Sequence, residues 1–223
     1  MKRLWLFLII FVLQQDLWSQ DYYKYELKKF RKAEIFHDTI DISNPDYARL
    51  NAVIFYLTNE VREKKKLNTL IYEKKLEESA TIHCNSMISE DFFDHINPKS
   101  KVLKTPNDRA RFVGISNPFL AENIIETFVL QYTAGDPVYP GPKGVFRYKP
   151  DGEPIPPHTY LSLGEALIDA WMNSPHHRDN ILSKKAIQLG CGTAFYRNKD
   201  FNDMPTVMAT QNFQLYEKVR SKP

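Results

Sequence analysis

His176, His177 and Arg178 follow Pro175 directly, and just upstream Glu165 and Asp169 belong to a helical repeat that runs to Trp171. Imidazole and carboxylate side chains held near one another can pass a proton, hold a divalent metal or bind a polar ligand. At about 100° per residue, Leu163, Ala166, Leu167, Ala170 and Trp171 fall in one apolar arc, and Glu165 and Asp169 lie opposite it. Pro175 disfavours a helical Ser174, so the helix is expected to stop there and carry His177 and Arg178 into a turn. A plainer reading is a surface helix whose basic C-terminal turn complements its dipole. Ser174 near His177 suggests a hydrolytic pair. Such a site also needs an orienting third group and an oxyanion hole, and a Ser before Pro at a helix end is more economically a cap. The chain has no His-Glu-x-x-His, Gly-x-Gly-x-x-Gly, phosphate-binding loop or Cys-x-x-Cys.

The run Trp171-Met172-Asn173-Ser174-Pro175-His176-His177-Arg178-Asp179-Asn180-Ile181-Leu182 resembles the signature of bacterial members of the CAP superfamily, or SCP domain. Other elements match that family in order. They are Asn59-Glu60-Val61-Arg62, Leu76 to Met87, Phe92-Phe93-Asp94-His95 with Pro98, and Asn107-Asp108-Arg109-Ala110 with Gly114. Ala121-Glu122-Asn123-Ile124, Leu189-Gly190-Cys191-Gly192 and Ala209-Thr210-Gln211-Asn212-Phe213 complete the series.

The resemblance implies a three-layer α-β-α sandwich around an antiparallel sheet, with two His and two Glu about one cleft. The matching residues are His95, Glu122, Glu165 and His177. Two imidazoles with carboxylates suit zinc, expected here to bind weakly, and a carboxylate can also orient a His or take a proton from bound water. Asn123, Ser174 and Arg178 are expected beside that cleft as ligand-binding residues, though Glu122 and Asn123 also read as a buried hydrogen-bonding pair. Glu165 stands one residue farther from Trp171 than the glutamate of some members, and Ala166 holds the nearer place. The resemblance implies a binding module for a lipid, small molecule or protein. The alternative is a metal-dependent hydrolase, peptidase or esterase, with Glu122 or Glu165 as base.

Length and composition agree with one α+β domain: 223 residues, 43% hydrophobic, can bury a sizeable core. The formal charge of +3 lacks the clustered basic face of a nucleic-acid binder, and Lys64-Lys65-Lys66 reads as a helix-end run. Met1-Lys2-Arg3 before Leu4 to Leu13 has the form of a secretory signal, too short to span a membrane, so a secreted or periplasmic monomer is expected. The expected organisation is a signal at 1–19, a loosely attached extension at 20–45, the domain at 46–217 and a tail at 218–223.

Periodicity predicts helices over roughly 47–65 and 72–89. The second carries an apolar stripe of Tyr72, Leu76, Ala80, His83, Cys84 and Met87, in which His83 reads as a core residue. Ile187 to Tyr196 and Thr206 to Phe213 read as strands joined by a polar hairpin, with Gly190 and Gly192 leaving room for close packing. Cys84 and Cys191 lie on the core faces of a helix and a strand and read as two buried thiols, with a disulfide between them as the alternative in an exported protein. The Pro- and Tyr-rich stretch at about 126–160 cannot be a helix and is expected to form a flap walling the cleft, with Tyr139 and Phe146 offering apolar contact.

Overall fold

The computed structural model describes residues 22–221; the expected signal at 1–19 lies outside them. After 3-10 turns between Tyr22 and Phe36 come α1 (Tyr47–Lys64), β1 (Ile71–Tyr72), α2 (Lys74–Ser89), α3 (Pro106–Phe112) and β2 (Leu120–Phe128). There follow β3 (Tyr139–Pro140), β4 (Phe146–Arg147), α4 (Tyr160–Asn173), α5 (Pro175–Ile181), β5 (Ala186–Asn198) and β6 (Met204–Leu215).

The main sheet has the order β1-β5-β6-β2. β2, β6 and β5 pair antiparallel, whereas the short β1 runs parallel to β5, so the sheet is mixed rather than purely antiparallel. α1 and α4 cover one face and α2 with α3 the other, giving the α-β-α layering. Alternation along β5 decides which layer each residue meets. Leu189 and Cys191 enter the core shared with α1 and α4. Gly190 and Gly192 face α2 so closely that an added Cβ would stand 2.1 Å from Glu77 N and 2.3 Å from Thr81 N. Cys84 reaches the sheet from α2, where its Sγ lies 3.3 Å from the Gly192 carbonyl oxygen. Cys191 points to the other layer, and both thiols are free and buried.

Three expectations about the periphery fail. The segment before α1 is not loosely attached, because Tyr22, Phe30, Phe36 and Ile40 are buried in the main core, with Phe30 stacked on Tyr56. Its aromatic side chains complete the outer layer over α1, each contributing roughly 1.5–3 kcal/mol by burial. Residues 219 and 220 are pinned as well, since Val219 N donates to Gln188 Oε1 at 2.6 Å and Ser116 N to Arg220 O at 2.8 Å.

The stretch after β2 is the third. β3 and β4 form a small hairpin, and Leu130, Phe146, Ile155 and Met204 make a cluster of their own with Phe128 and Phe201. That cluster sits by the β5–β6 turn, some six residues along β2 from Glu122 or about 20 Å. It does not wall the expected cleft. Phe146 is 1% exposed and offers nothing to a ligand, and Tyr139 lies exposed on the same distant hairpin.

β2 is an edge strand, yet two of its carbonyls are occupied by side chains. Trp171 Nε1 donates to Ile124 O at 3.3 Å, and Asn180 Nδ2 donates to Glu122 O at 3.2 Å. Ser174 ends α4 as expected, but Pro175 then takes the first turn of α5 instead of leading into a loop. Proline suits that position, whose N–H has no partner within a helix. The Ser174 side chain makes no capping bond.

Candidate functional site

Glu122 and Asn123 are neighbours in sequence and therefore point to opposite faces of β2. Each anchors one histidine-bearing segment. Glu122 is sealed in the α2 layer. Its Oε2 accepts from Arg109 Nη2 at 2.7 Å, and its Oε1 lies 2.9 Å from His95 Nδ1 and 3.6 Å from His83 Nε2. Side chains of Arg109 and His83 are 0% exposed and that of Glu122 2%, whereas that of His95 is 46% exposed. With its nitrogen turned to Glu122 Oε2, the Asn212 amide donates to it at 3.1 Å while its oxygen accepts from Ala80 N.

Arg109 is delivered by local sequence. Thr105 and Asp108 form a capping box at the start of α3, with Pro106 in its first turn. The guanidinium also donates to the carbonyls of His95, Leu103 and Lys104, which ties the His95 loop to the buried carboxylate. Phe92 pins that loop by packing on His83 and the cluster around Met87. Phe93 does not, and stands 51% exposed with Ile96 at 39% on either side of His95.

On the other face, Asn123 Nδ2 donates to His177 O at 3.1 Å and to Gln211 Oε1 at 3.0 Å. Its Oδ1 accepts from Asn180 Nδ2 at 2.9 Å. Gln211 passes the network inward to Thr58. α5 is thereby fixed against the edge, and Arg178 Nη1 returns to Met172 O at the end of α4. Asn123 thus serves as a brace with both amide atoms engaged, and Arg178 braces the end of α4 through Nη1.

The two histidines approach each other around the β2 edge. His95 is raised above its usual 6.5, first by its bond to Glu122. His177 is lowered, first by burial and then by the charges of His95 and His176. Burial drives His83 down to about 4, so it is a neutral ring under the carboxylate. Sequence reasoning set His83 aside as core. Its place on the stripe was right, but the stripe could not show that Glu122 comes down on it.

Glu165 is not part of this group. It pairs with Arg31, whose guanidinium also grips Glu60 of α1 at 2.6 and 2.8 Å. The site is on the outer side of α4, away from the sheet, where helical spacing puts Glu165 opposite Trp171. The expected four-ligand set therefore does not assemble. Glu122 has both oxygens engaged, one by a buried cation, and among the described residues no group of three or more His, Cys, Asp or Glu is placed to hold a metal ion.

A family model described as the cysteine-rich secretory protein family, CAP, matches residues 55–213. The chain belongs to the CAP family. It is 28% identical over 136 residues to the uncharacterized protein YkwD of Bacillus subtilis, a match covering 61% of this chain and 39% of that one. An extracellular protein of Bacillus anthracis containing an SCP domain superposes with a TM-score of 0.50 at 22% identity, over 76% of this chain and 41% of the other. An outer surface protein of Borrelia burgdorferi aligns with a TM-score of 0.47 at 14% identity, over 80% and 98% of the two chains. This CAP chain thus spans less than half the length of the two Bacillus proteins it matches. Among its described residues no helix is long and apolar enough to cross a membrane.

Proposed function

We propose that this chain is an exported CAP-domain binding module that takes a ligand at the β2 edge through His95 and His177. The observation that carries the reading is the bond from His95 Nδ1 to a carboxylate that is itself locked by a buried arginine. A buried ion pair costs desolvation and is weak support for stability, so its expected return is positional. Held by one ring nitrogen, a half-exposed His95 has Nε2 to offer. Relative to a free imidazole, His95 is shifted toward the cationic donor form and His177 toward the neutral one. That pair suits an acidic or hydrogen-bond-accepting group, and exposed Phe93 and Ile96 suit an apolar body next to it. An amphipathic small molecule or lipid matches this chemistry best. Export rests on the basic start and apolar run of residues 1–13.

The test is native mass spectrometry of the protein recovered from the culture medium or periplasm. A co-purified small molecule should be present in the parent and lost in His95→Ala and Phe93→Ala. Equal occupancy in both variants overturns the site. Metal-dependent ester or peptide hydrolysis by the parent, abolished in His95→Ala and His177→Ala, overturns the binding-module reading in favour of the hydrolase.

A further inference from the structure

The opposite edge of the main sheet holds a second feature. A cavity of about 430 Å³ opens beside β1, lined by Arg62, Lys66 and Lys184 over Leu67, Ile71 and Ile187. Asn68 and Thr69 add neutral hydrogen-bonding groups, and no carboxylate lines it. Arg62 is 1% exposed and spends Nε and Nη1 on the carbonyls of Asn68, Ile181 and Ser183. Neither Lys66 nor Lys184 makes an ion pair among the described residues.

Two helix ends, those of α1 and α5, converge here, and cations at such ends offset the dipole. The magnitudes leave a surplus. Each helix end carries roughly half a negative charge, against three full positive charges, and the carbonyls concerned are already bonded to Arg62 or within the α1 cap. That cap has the double bond pattern Leu67 N to Arg62 O and Lys66 N to Glu63 O, with Lys66 at φ 58. Glycine or asparagine is usual at this left-handed position. Lys66 bears that conformational cost and lines the cavity.

We propose that this cavity is an anion site for a phosphate ester, with the phosphoryl group between Lys66, Lys184 and the buried Arg62 and the organic part on Leu67, Ile71 and Ile187. The arginine is fixed in advance by its carbonyl partners, which leave only Nη2 uncommitted, so it adds a held charge and one donor nitrogen rather than a fork, and the two lysines act as point charges. The site is independent of the β2-edge reading. A phosphoryl group could arrive on a soluble metabolite or on a lipid headgroup, and the experiment separates these sources.

The full exported chain is titrated calorimetrically with pyrophosphate and with glycerol phosphate, and sedimented with phosphatidylcholine vesicles with and without phosphatidic acid. Saturable one-to-one binding that weakens by about tenfold or more in Lys66→Ala, Lys184→Ala is expected, with Lys66→Arg, Lys184→Arg retaining it. Soluble probes binding without vesicle capture assigns a soluble ligand. Capture by phosphatidic acid that pyrophosphate competes away assigns a headgroup. The site is refuted by affinity within about twofold of the parent in the double alanine variant, or by no saturable binding of any probe below about 10 mM. Lys149→Ala, Lys199→Ala, at two exposed lysines outside the cavity, controls for the same change in net charge.

Discussion

Arg109 Nη2 donates to Glu122 Oε2 at 2.7 Å with both side chains out of reach of water, and the same guanidinium holds the carbonyl of the histidine that Glu122 orients. Removing one partner strands a charge. Arg109→Met is expected to lower unfolding free energy by about 3–5 kcal/mol, and Arg109→Met with Glu122→Leu to recover much of that loss. Urea unfolding followed by circular dichroism measures both. A single-variant loss below about 1 kcal/mol would mean the pair is solvated in solution.

The two exposed-edge histidines should titrate apart. Ring-proton NMR is expected to place His95 above 6.5 and His177 below it. Glu122→Gln should bring His95 down. The raised His95 contributes stability present below 6.5 and lost as pH climbs through its folded value. The lowered His177 contributes stability present above 6.5 and lost as pH falls through its own. Coincident titrations would contradict the arrangement.

Glu77 gives a separate pH dependence. Burial lifts its carboxyl to about 7, with the Tyr23 hydroxyl bonded to it and pulling the other way. Because the unfolded carboxyl sits near 4.5, stability is full below that value and falls as pH rises toward about 7. The fall should be on the order of 2 kcal/mol. Glu77→Gln should flatten this part of a stability-versus-pH curve measured by chemical denaturation. A parent curve already flat between those values would show that water reaches the carboxylate.

The segment before α1 should behave as core. Phe30→Ala is expected to cost about 3–5 kcal/mol in a reversible melt, as for other fully buried aromatics. Arg31→Ala, which breaks half-exposed pairs with Glu60 and Glu165, should cost about 1 kcal/mol or less. A Phe30→Ala protein as stable as the parent would return the segment to the status of an attachment.

Much of the fold is legible in residue spacing. Period-three-and-four stripes located α1, α2 and α4, and alternation in 187–196 foretold that Gly190 and Gly192 face a close neighbour. The turns from Tyr22 to Phe36 have no sustained period, so nothing local marks Phe30 or Phe36 as buried. Pro175 was read as a terminator, but the same fixed φ that ends one helix starts the next. At the site, His95 Nδ1 contacts Glu122 Oε1 directly, whereas Glu165 follows its own helical wheel out to Arg31. Arg109 was named only as part of a motif and His83 only as core, because their roles depend on which strand residue descends between them, a fact of tertiary packing.

The carbonyl caps from Trp171 and Asn180 have a consequence for self-association. An edge strand with free backbone groups is a template for another chain, and these two side chains close the β2 edge opposite Glu122 and Ile124. The stretch by which the chain declares its lineage is in part a guard against aggregation. Trp171 and Asn180 therefore act at the sheet edge whether or not a ligand binds, so their presence attests a covered stretch of strand and leaves binding to be measured.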